Sequence, residues 1–396
     1  MTRSPIAILL YSSTRVRYGV EEHMLTLLRE LPRTYFRFYL ACSKALEVEF
    51  GPDLPSDVEV LSLSMASSTR VPDALRLAKF VRERKIDIVH SHMFFSSRFA
   101  SPIARACGVP VILETPHVAE NWRRGWLKSS FALDRAVGRC VDYFIAVSQA
   151  NASYLIHKKG LPKEKIVVIR NGCELSRFAS PLDSRSELRN QRGLSESAPL
   201  VLVPARLEPQ KGHRVLLEAL PDVRREFPQA QFLFLGEGSL KKELQDQVAA
   251  LSLEEMVKFI GFQADVANWY ALADFTVLPS FYEGLPLVAI ESLAASRSIV
   301  ATSVDGTPEV VVNGRTGLTV APGNPAELSK AICNFLRNPA LADTYGRQGR
   351  EWVEQEFSQE KQVRETSDLY VRSCEEKRRA AHVPKNRAAE EWSDAA

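Results

Sequence analysis

What this sequence lacks narrows the reading before any motif is considered. It has six cysteines, Cys42, Cys107, Cys140, Cys173, Cys333 and Cys374, and none stands in a Cys-x-x-Cys pair. Their spacings form neither a zinc ligand set nor a disulfide framework, so buried free thiols in a reducing compartment are expected. No stretch approaches the ~20 apolar residues of a membrane-spanning helix. The first apolar run, Ile6 to Tyr11, is too short for the core of a secretion signal and has no cleavage-like site after it. It reads as a strand. An excess of one charge is missing too. The net charge is only +3, so composition makes no case for nucleic acid. The strand–loop–helix opening contains no Gly-x-Gly-x-x-Gly, so the dinucleotide signature is absent there.

What is present is ordinary globular material, 45% apolar and 25% charged. The 396 residues exceed one core and predict two domains of ~150–200 residues each. Short apolar runs alternate with stretches of helical spacing. Strands are expected at Ile6–Tyr11, Phe36–Ala41, Val58–Leu63, Ile86–His90, Val109–Glu114, Tyr143–Val147 and Ile166–Ile169. Helices fall between them, among them one from about Leu127 to Cys140, and Ser148 is placed to cap another. From Leu175 to Ala198 the pattern lapses, and Leu200–Val203 restarts it as a new first strand. The expected division is a doubly wound α/β domain over 1–180 and a second over 198–358. A helix follows over 359–377, and a charged, Ala-rich tail over 378–396 has too little apolar content to pack. Ligands of such sheets sit beyond the carboxyl ends of the strands, and between two such domains they sit in the cleft.

One stretch carries most of the chemistry: Ser280-Phe281-Tyr282-Glu283-Gly284-Leu285-Pro286-Leu287-Val288-Ala289-Ile290-Glu291. The strand Phe275–Leu278 runs into it and a helix pattern runs out from Leu287. Pro286 suits the first helical turn, and Gly284 allows a tight bend and a close ligand. A helix start of this kind turns N–H groups and the positive dipole end toward an anion, above all a phosphate. Were the whole stretch helical, Glu283 and Glu291 would lie about 12 Å apart in rise. A retaining glycosidase needs its carboxyl groups about 5–5.5 Å apart. The pair therefore reads as two grips on one long ligand. Arg206 and Lys211, in the loop after the restarted strand, supply two cations for a diphosphate. Leu235-Gly236-Glu237-Gly238 closes a further strand with glycines that let a ligand approach.

These pieces together resemble glycosyltransferase family 4, retaining enzymes of the GT-B fold. The resemblance rests on Arg206…Lys211-Gly212, Leu235-Gly236-Glu237-Gly238, Gly261-Phe262, the Glu283–Glu291 spacing and Ser303 to Gly317. It rests also on Ile145–Gln149 and Asn171-Gly172 in the first half, and spans about residues 5 to 372. It implies a nucleotide-sugar donor, UDP- or GDP-linked, on the second domain and a glycan or lipid-linked acceptor on the first. It implies that Arg206 and Lys211 hold the diphosphate, that Glu283 faces the sugar and that Glu291 bonds the ribose. N–H groups at Leu285 and Leu287 would meet the phosphate beside Gly284. Gly19 and Gly236 would line the donor, Phe262 would lie near the base, and His117 would reach the sugar from the first domain. The last helix would cross back onto the first domain. No cofactor and no metal bridge is implied, and the chain contains no Asp-x-Asp.

Some residues depart from that pattern or stand outside it. Tyr18-Gly19 occupies the place of a common Gly-Gly, and Arg15 and Arg17 in the same loop suit either an acceptor phosphate or an ordinary solvated loop. Asp305-Gly306 replaces another Gly-Gly near the sugar. His90 and His92 have metal-like spacing but no Cys or carboxylate partner in sequence, so a structural or acceptor-side role is favoured. Trp122-Arg123-Arg124-Gly125-Trp126-Leu127-Lys128 pairs aromatic with basic residues. Such a segment suits either the inner leaflet of a membrane or an ordinary exposed helix start. Lys211, read as lying on an exposed loop, is expected to matter more to turnover than to stability. Beside transfer, two other readings stay open: a nucleotide-sugar epimerase or hydrolase, and a catalytically silent binding subunit.

Overall fold

The computed structural model describes residues 4–64, 70–118, 120, 131–178 and 184–382. Seven strands form the first sheet: β1 (Ile6–Tyr11), β2 (Phe36–Ser43), β3 (Glu59–Leu63), β4 (Ile88–His92), β5 (Val111–Thr115), β6 (Tyr143–Ala146) and β7 (Ile166–Val168). Six form the second: β8 (Leu200–Pro204), β9 (Gln231–Leu235), β10 (Val257–Gly261), β11 (Phe275–Leu278), β12 (Ile299–Thr302) and β13 (Gly317–Val320). The spatial orders are β3-β2-β1-β4-β5-β6-β7 and β10-β9-β8-β11-β12-β13, with parallel pairing throughout. Both sheets are the doubly wound arrangement, and each reverses winding beside its first strand: between β1 and β4, and between β8 and β11.

The central strands read as continuous apolar runs because helices cover both faces. Along β1 the alternation still sorts partners: Leu9 and Tyr11 join Val89 and Ile112 on one face, while Ile8 and Leu10 join Ile88 and Val111 on the other. The second sheet divides in the same way, with Val201 and Val203 in one cluster and Leu200 and Leu202 in the other.

Several elements differ from the sequence reading. β4 runs to His92 rather than stopping at His90, because its polar end is buried among side chains that bond one another. The polar stretch after Leu175 is not all loop. Ser184 and Glu187 form a reciprocal capping box that starts the helix Arg185–Gln191. Its Arg189 is buried because it donates to Leu272 O, Glu196 O, Ala198 O and Asp274. A further helix, Pro339–Glu356, buries mainly small residues, Ala342, Gly346 and Gly349 with Val353, and so shows little apolar periodicity. The last helix extends over Gln359–His382. Residues 378–382 of the expected tail are therefore helical, and 383–396 lie outside the described residues.

That last helix packs against the helix Gly19–Glu30 and β5. Tyr370 and Cys374 enter the same core as Ile8, Leu10 and Leu113. The chain returns to the first sheet at Cys173, which receives Gln359 N–H at 3.0 Å and donates its own N–H to Phe357 O at 2.9 Å. The C-terminal helix thus crosses back onto the first sheet.

Candidate functional site

Three loops of the second sheet meet at its winding reversal. The loop after β8 carries Arg206 and ends in a single tight turn, Pro209–Lys211, with Gly212 left-handed at φ 67° before the helix His213–Glu226. The loop after β11 carries Ser280 to Pro286. Gln210 binds the two together: its Nε2 donates to Tyr282 O at 2.8 Å, and its carbonyl accepts from Phe281 N at 2.8 Å. The loop after β12 joins through Asp305, whose Oδ2 accepts the Glu283 N–H at 2.9 Å.

Lys211 and Glu283 form an ion pair, Nζ to Oε1 at 2.6 Å, with side chains 14% and 7% exposed. Ser280 Oγ donates to the same carboxylate oxygen at 2.7 Å. Lys211 is therefore not on an exposed loop. A pair this far from water depends on both partners, and removing one leaves a charge uncompensated. Its Coulomb attraction also holds the ammonium in place, ready to be re-aimed when a more negative group arrives.

The helix start differs in one detail from expectation. Pro286 is the N-cap, with extended φ −74° and ψ 105°, and the helix runs from Leu287 to Ala294. Pro286 contributes the carbonyl that accepts from Ala289 and Ile290. The Leu287 N–H precedes any intrahelical acceptor, as first-turn donors do. Leu285 is buried at 5% exposure. Glu291, one turn on, accepts a hydrogen bond from Tyr270 Oη at 2.9 Å. Burial raises its pKa above the usual carboxylate value, against the lowering influence of Tyr270 and Arg177.

The first sheet contributes from across the cleft. His117 follows β5, and its carbonyl closes on Gly284: a Cβ built on Gly284 would lie 1.9 Å from His117 O. No residue with a side chain fits there without separating the two sheets. Ser148 Oγ donates to Gly284 O at 3.1 Å while also capping the helix Gln149–His157. Glu309 accepts from Ala150 N at 3.0 Å and pairs with Arg170 at 3.2 Å. Tyr18 and Gly19, at the start of the helix after β1, reach the second domain. The Arg206 guanidinium lies 4.6 Å over the Tyr18 ring, and the Gly19 Cβ position is 3.6 Å from Leu287 Cδ1.

The His117 imidazole does not stand alone. Its Nε2 is 3.1 Å from His92 Nδ1, and the rings of His23, His92 and His117 lie in mutual edge and stacked contact. His23 Nδ1 lies 3.1 Å from Asn171 Oδ1 and 2.9 Å from Gln362 Nε2 of the last helix. His90 is spanned by Tyr370 Oη and Thr115 Oγ1, each at 2.7 Å. Burial lowers all four pKa values, opposed at His23 by the Asn171 hydrogen bond and reinforced at the other three by neighbouring imidazoles: His23 to about 4, His90 to about 3, and His92 and His117 well below the usual value. All four are neutral at pH 7.

The structure thus brings together Arg206, Lys211, Glu283, Gly284, Leu285, Leu287, His117 and Gly19. Glu291 lies further along the same helix. Gly236 follows β9 at φ 146°, where a Cβ would lie 2.2 Å from Ala205 O, so its glycine is required by the neighbouring loop. Phe262 follows β10 and is 74% exposed. Arg17 is engaged by Glu22 and Asp53 rather than free for a phosphate, and Arg15 is exposed. Trp122, Arg123, Arg124, Trp126 and Lys128 lie outside the described residues, as does the start of the helix expected from Leu127, which is seen over Phe131–Gly138. The sequence reading missed His23, although it sits beside Met24 and four residues before Leu27 on the apolar face of its helix. It also missed the crossing of Tyr18 to Arg206. A recess of about 850 Å³ lined by Gln210, His213, Phe281 and Tyr282 opens beside the loops. One of about 320 Å³ lined by Arg185, Arg189 and Asp274 lies away from them.

Known proteins share these features. Residues 18–177 match the model of Glycosyltransferase Family 4, and residues 184–352 that of Glycosyl transferases group 1. A glycogen synthase of Mycobacterium tuberculosis is 30% identical over 346 residues, covering 85% of this chain and 80% of that protein. A GDP-mannose-dependent alpha-(1-6)-phosphatidylinositol monomannoside mannosyltransferase of Mycolicibacterium smegmatis is 29% identical over 291 residues, covering 71% and 75%. The crystal structure of Anabaena Alr3699/HepE with UDP-glucose superposes with a TM-score of 0.81 at 20% identity, over 92% of this chain and 99% of that one. With two doubly wound parallel sheets facing one another and the last helix returned to the first, the chain has the GT-B fold and belongs to glycosyltransferase family 4.

Proposed function

We propose that the protein transfers a sugar, with retention at the anomeric carbon, from a UDP- or GDP-linked donor to a glycan or lipid-linked acceptor. The product class is cell-surface polysaccharide, lipopolysaccharide or glycolipid. One observation carries this reading: Lys211 and Glu283, from loops 72 residues apart, are paired at 2.6 Å beside the His117–Gly284 crossing. A cation and a carboxylate are thereby placed at the seam of the two domains, where a donor's diphosphate and sugar would meet.

In this reading the donor diphosphate draws Lys211 and Arg206 onto its oxygens, with Arg206 leaving the Tyr18 ring. First-turn N–H groups at Leu287 complete the cradle. Glu283, released from Lys211, accepts from the sugar hydroxyls, and Glu291 from the ribose. His117, neutral, is the group offered to the sugar from the first domain. The bond from the anomeric carbon to the diphosphate oxygen breaks. The acceptor hydroxyl oxygen bonds to that carbon on the same face, and its proton passes to the departing diphosphate. The cations stabilise the charge that grows on the leaving group, and no metal bridge is invoked. The names of relatives support the donor class, one acting with GDP-mannose and another solved with UDP-glucose. The acceptor side, including docking of residues 122–128 on a membrane, is part of the proposal.

The test is release of nucleoside diphosphate from a panel of UDP- and GDP-sugars, with and without glycan and lipid acceptors. Release that needs an acceptor supports transfer. Equal release in water alone would make the protein a hydrolase, and tight binding without release would make it a silent subunit.

A further inference from the structure

We propose that His23, His92 and His117 form a binding site for one divalent transition-metal ion of the zinc class, and that the bound ion immobilises His117 and slows transfer. The site itself stands on geometry alone. Its effect on transfer rests on the reading of His117 given above.

The three residues come from separate elements: the helix Gly19–Glu30, β4 and the loop after β5. One ligand nitrogen from each lies within 4.8 Å of the other two, and all three side chains are buried. Among the described residues this is the single cluster of its kind. Three histidines and an open fourth position are a recognised zinc ligand set. With zinc–nitrogen bonds of about 2.0–2.1 Å, tetrahedral ligand nitrogens lie about 3.3 Å apart. His92 Nδ1 and His117 Nε2 are already 3.1 Å apart. Only His23 must close the remaining distance, through small rotations of rings already in contact.

The surroundings fit the same role. Imidazoles that bind metal usually direct their second nitrogen to a carbonyl or similar acceptor, which fixes the ring. His23 Nδ1 faces both Asn171 Oδ1 and the Gln362 amide nitrogen; the tautomer that donates to Asn171, giving up the Gln362 contact, is the one that leaves the Nε2 lone pair as the ligand. His92 departs from this, since its Nε2 is buried without a hydrogen-bond partner; its ring is positioned instead by contact with the neighbouring imidazoles. His90, adjacent to His92, is held at both nitrogens by Tyr370 and Thr115 and is not a ligand. Seen alone in sequence, His90 and His92 lacked a partner for a metal. The fold supplies His23 and His117 for His92 and leaves His90 out. The consequence for transfer follows from one residue: an ion on His117 would remove its ring nitrogen from the sugar. It would also stiffen the loop whose carbonyl abuts Gly284.

The experiment uses the full chain, stripped with a chelator and titrated with Co²⁺ and Zn²⁺. Equilibrium dialysis is expected to show one zinc per chain. Co²⁺ is expected to give the intense visible absorption of a four-coordinate ion, and Zn²⁺ to raise Tm by mass action. His23→Gln and His92→Gln should each weaken zinc binding at least ~10-fold, while His157→Gln, on an exposed residue, should bind as the wild type does. The wild-type dialysis, absorption and Tm need no variant and stand even if a substitution unfolds the protein. Absence of stoichiometric zinc, or zinc binding unchanged in both folded variants, overturns the site. Bound zinc that leaves diphosphate release undiminished overturns the inhibition. Failure of the metal-free protein to turn over any donor would instead count against the transferase reading, and the dialysis result decides the site regardless.

Discussion

Glu283 has three partners, Lys211, Ser280 and the backbone contact of its own N–H with Asp305, and they make opposite substitutions informative. Glu283→Gln keeps the shape and the Ser280 contact but removes the charge proposed to face the sugar. Turnover is expected to fall about 100–1,000-fold with nucleotide affinity within a few-fold of wild type, measured by steady-state kinetics and calorimetry. Lys211→Ala removes the cation proposed to meet the leaving group and also leaves the Glu283 carboxylate uncompensated in a site shielded from water. Its expected cost is about 3 kcal/mol of stability in addition to a comparable loss of turnover, read by denaturant unfolding. Unchanged stability would mean that Glu283 finds water or another partner when Lys211 is gone.

Histidine protonation gives a second residue-scale expectation. His23 and His213 have folded pKa values of about 4, lowered chiefly by burial from 6.5. The unfolded chain therefore binds more protons than the folded one between pH 6.5 and 4. Stability is flat above that window and falls as pH drops through it, by roughly 3 kcal/mol per residue at pH 4. His213→Gln, outside the histidine cluster, should flatten the acid limb of a stability–pH curve by about its own share. An unaltered limb would place the proton uptake elsewhere.

At the scale of elements, the loops at the two winding reversals were legible and several of the intervening elements were not. The loop from Ser280 to Glu291 announced itself through an apolar strand, a glycine, a proline and a helical pattern, all local signals. The helix Pro339–Glu356 gave no such signal because its buried face is made of small residues that let backbones approach. The helix Arg185–Gln191 was hidden by polarity, since Arg189 is buried by satisfying carbonyls that only the fold brings near. Gly284 was legible as a bend but not as a contact. Gly284→Ala should force the His117 loop off the second domain, lowering kcat/KM at least ~10-fold, with a larger radius of gyration in small-angle scattering. A variant with wild-type scattering and activity would show that the crossing is looser than the 1.9 Å approach implies.

At the scale of the whole molecule, the last helix ties the end of the described chain into the first domain. Tyr370 packs in the first domain's core and bonds His90, while Gln362 bonds His23. Tyr370→Ala is expected to cost about 3–5 kcal/mol, and Tyr370→Phe, which loses the His90 bond alone, about 1 kcal/mol. Thermal unfolding of both variants checks the ranking, and equal costs would mean that the hydroxyl, not the ring, dominates. A nucleotide-sugar that binds only the folded form should raise Tm in the wild type, and the base that raises it most identifies the donor nucleotide.

The sequence by itself determined the alternation of strands and helices, the two parallel sheets and the loops where ligands would lie, because each depends on spacing along a few neighbouring residues. It also determined the family resemblance that the comparisons bear out. Only the tertiary structure decided which of those residues face one another. The Lys211–Glu283 pair, the Tyr18–Arg206 contact, the His117 carbonyl on Gly284 and the gathering of His23 with His92 and His117 all join positions far apart in the chain. Charge compensation, close approach and convergence of lone pairs are properties of distance in space, and distance in space is set by packing rather than by order.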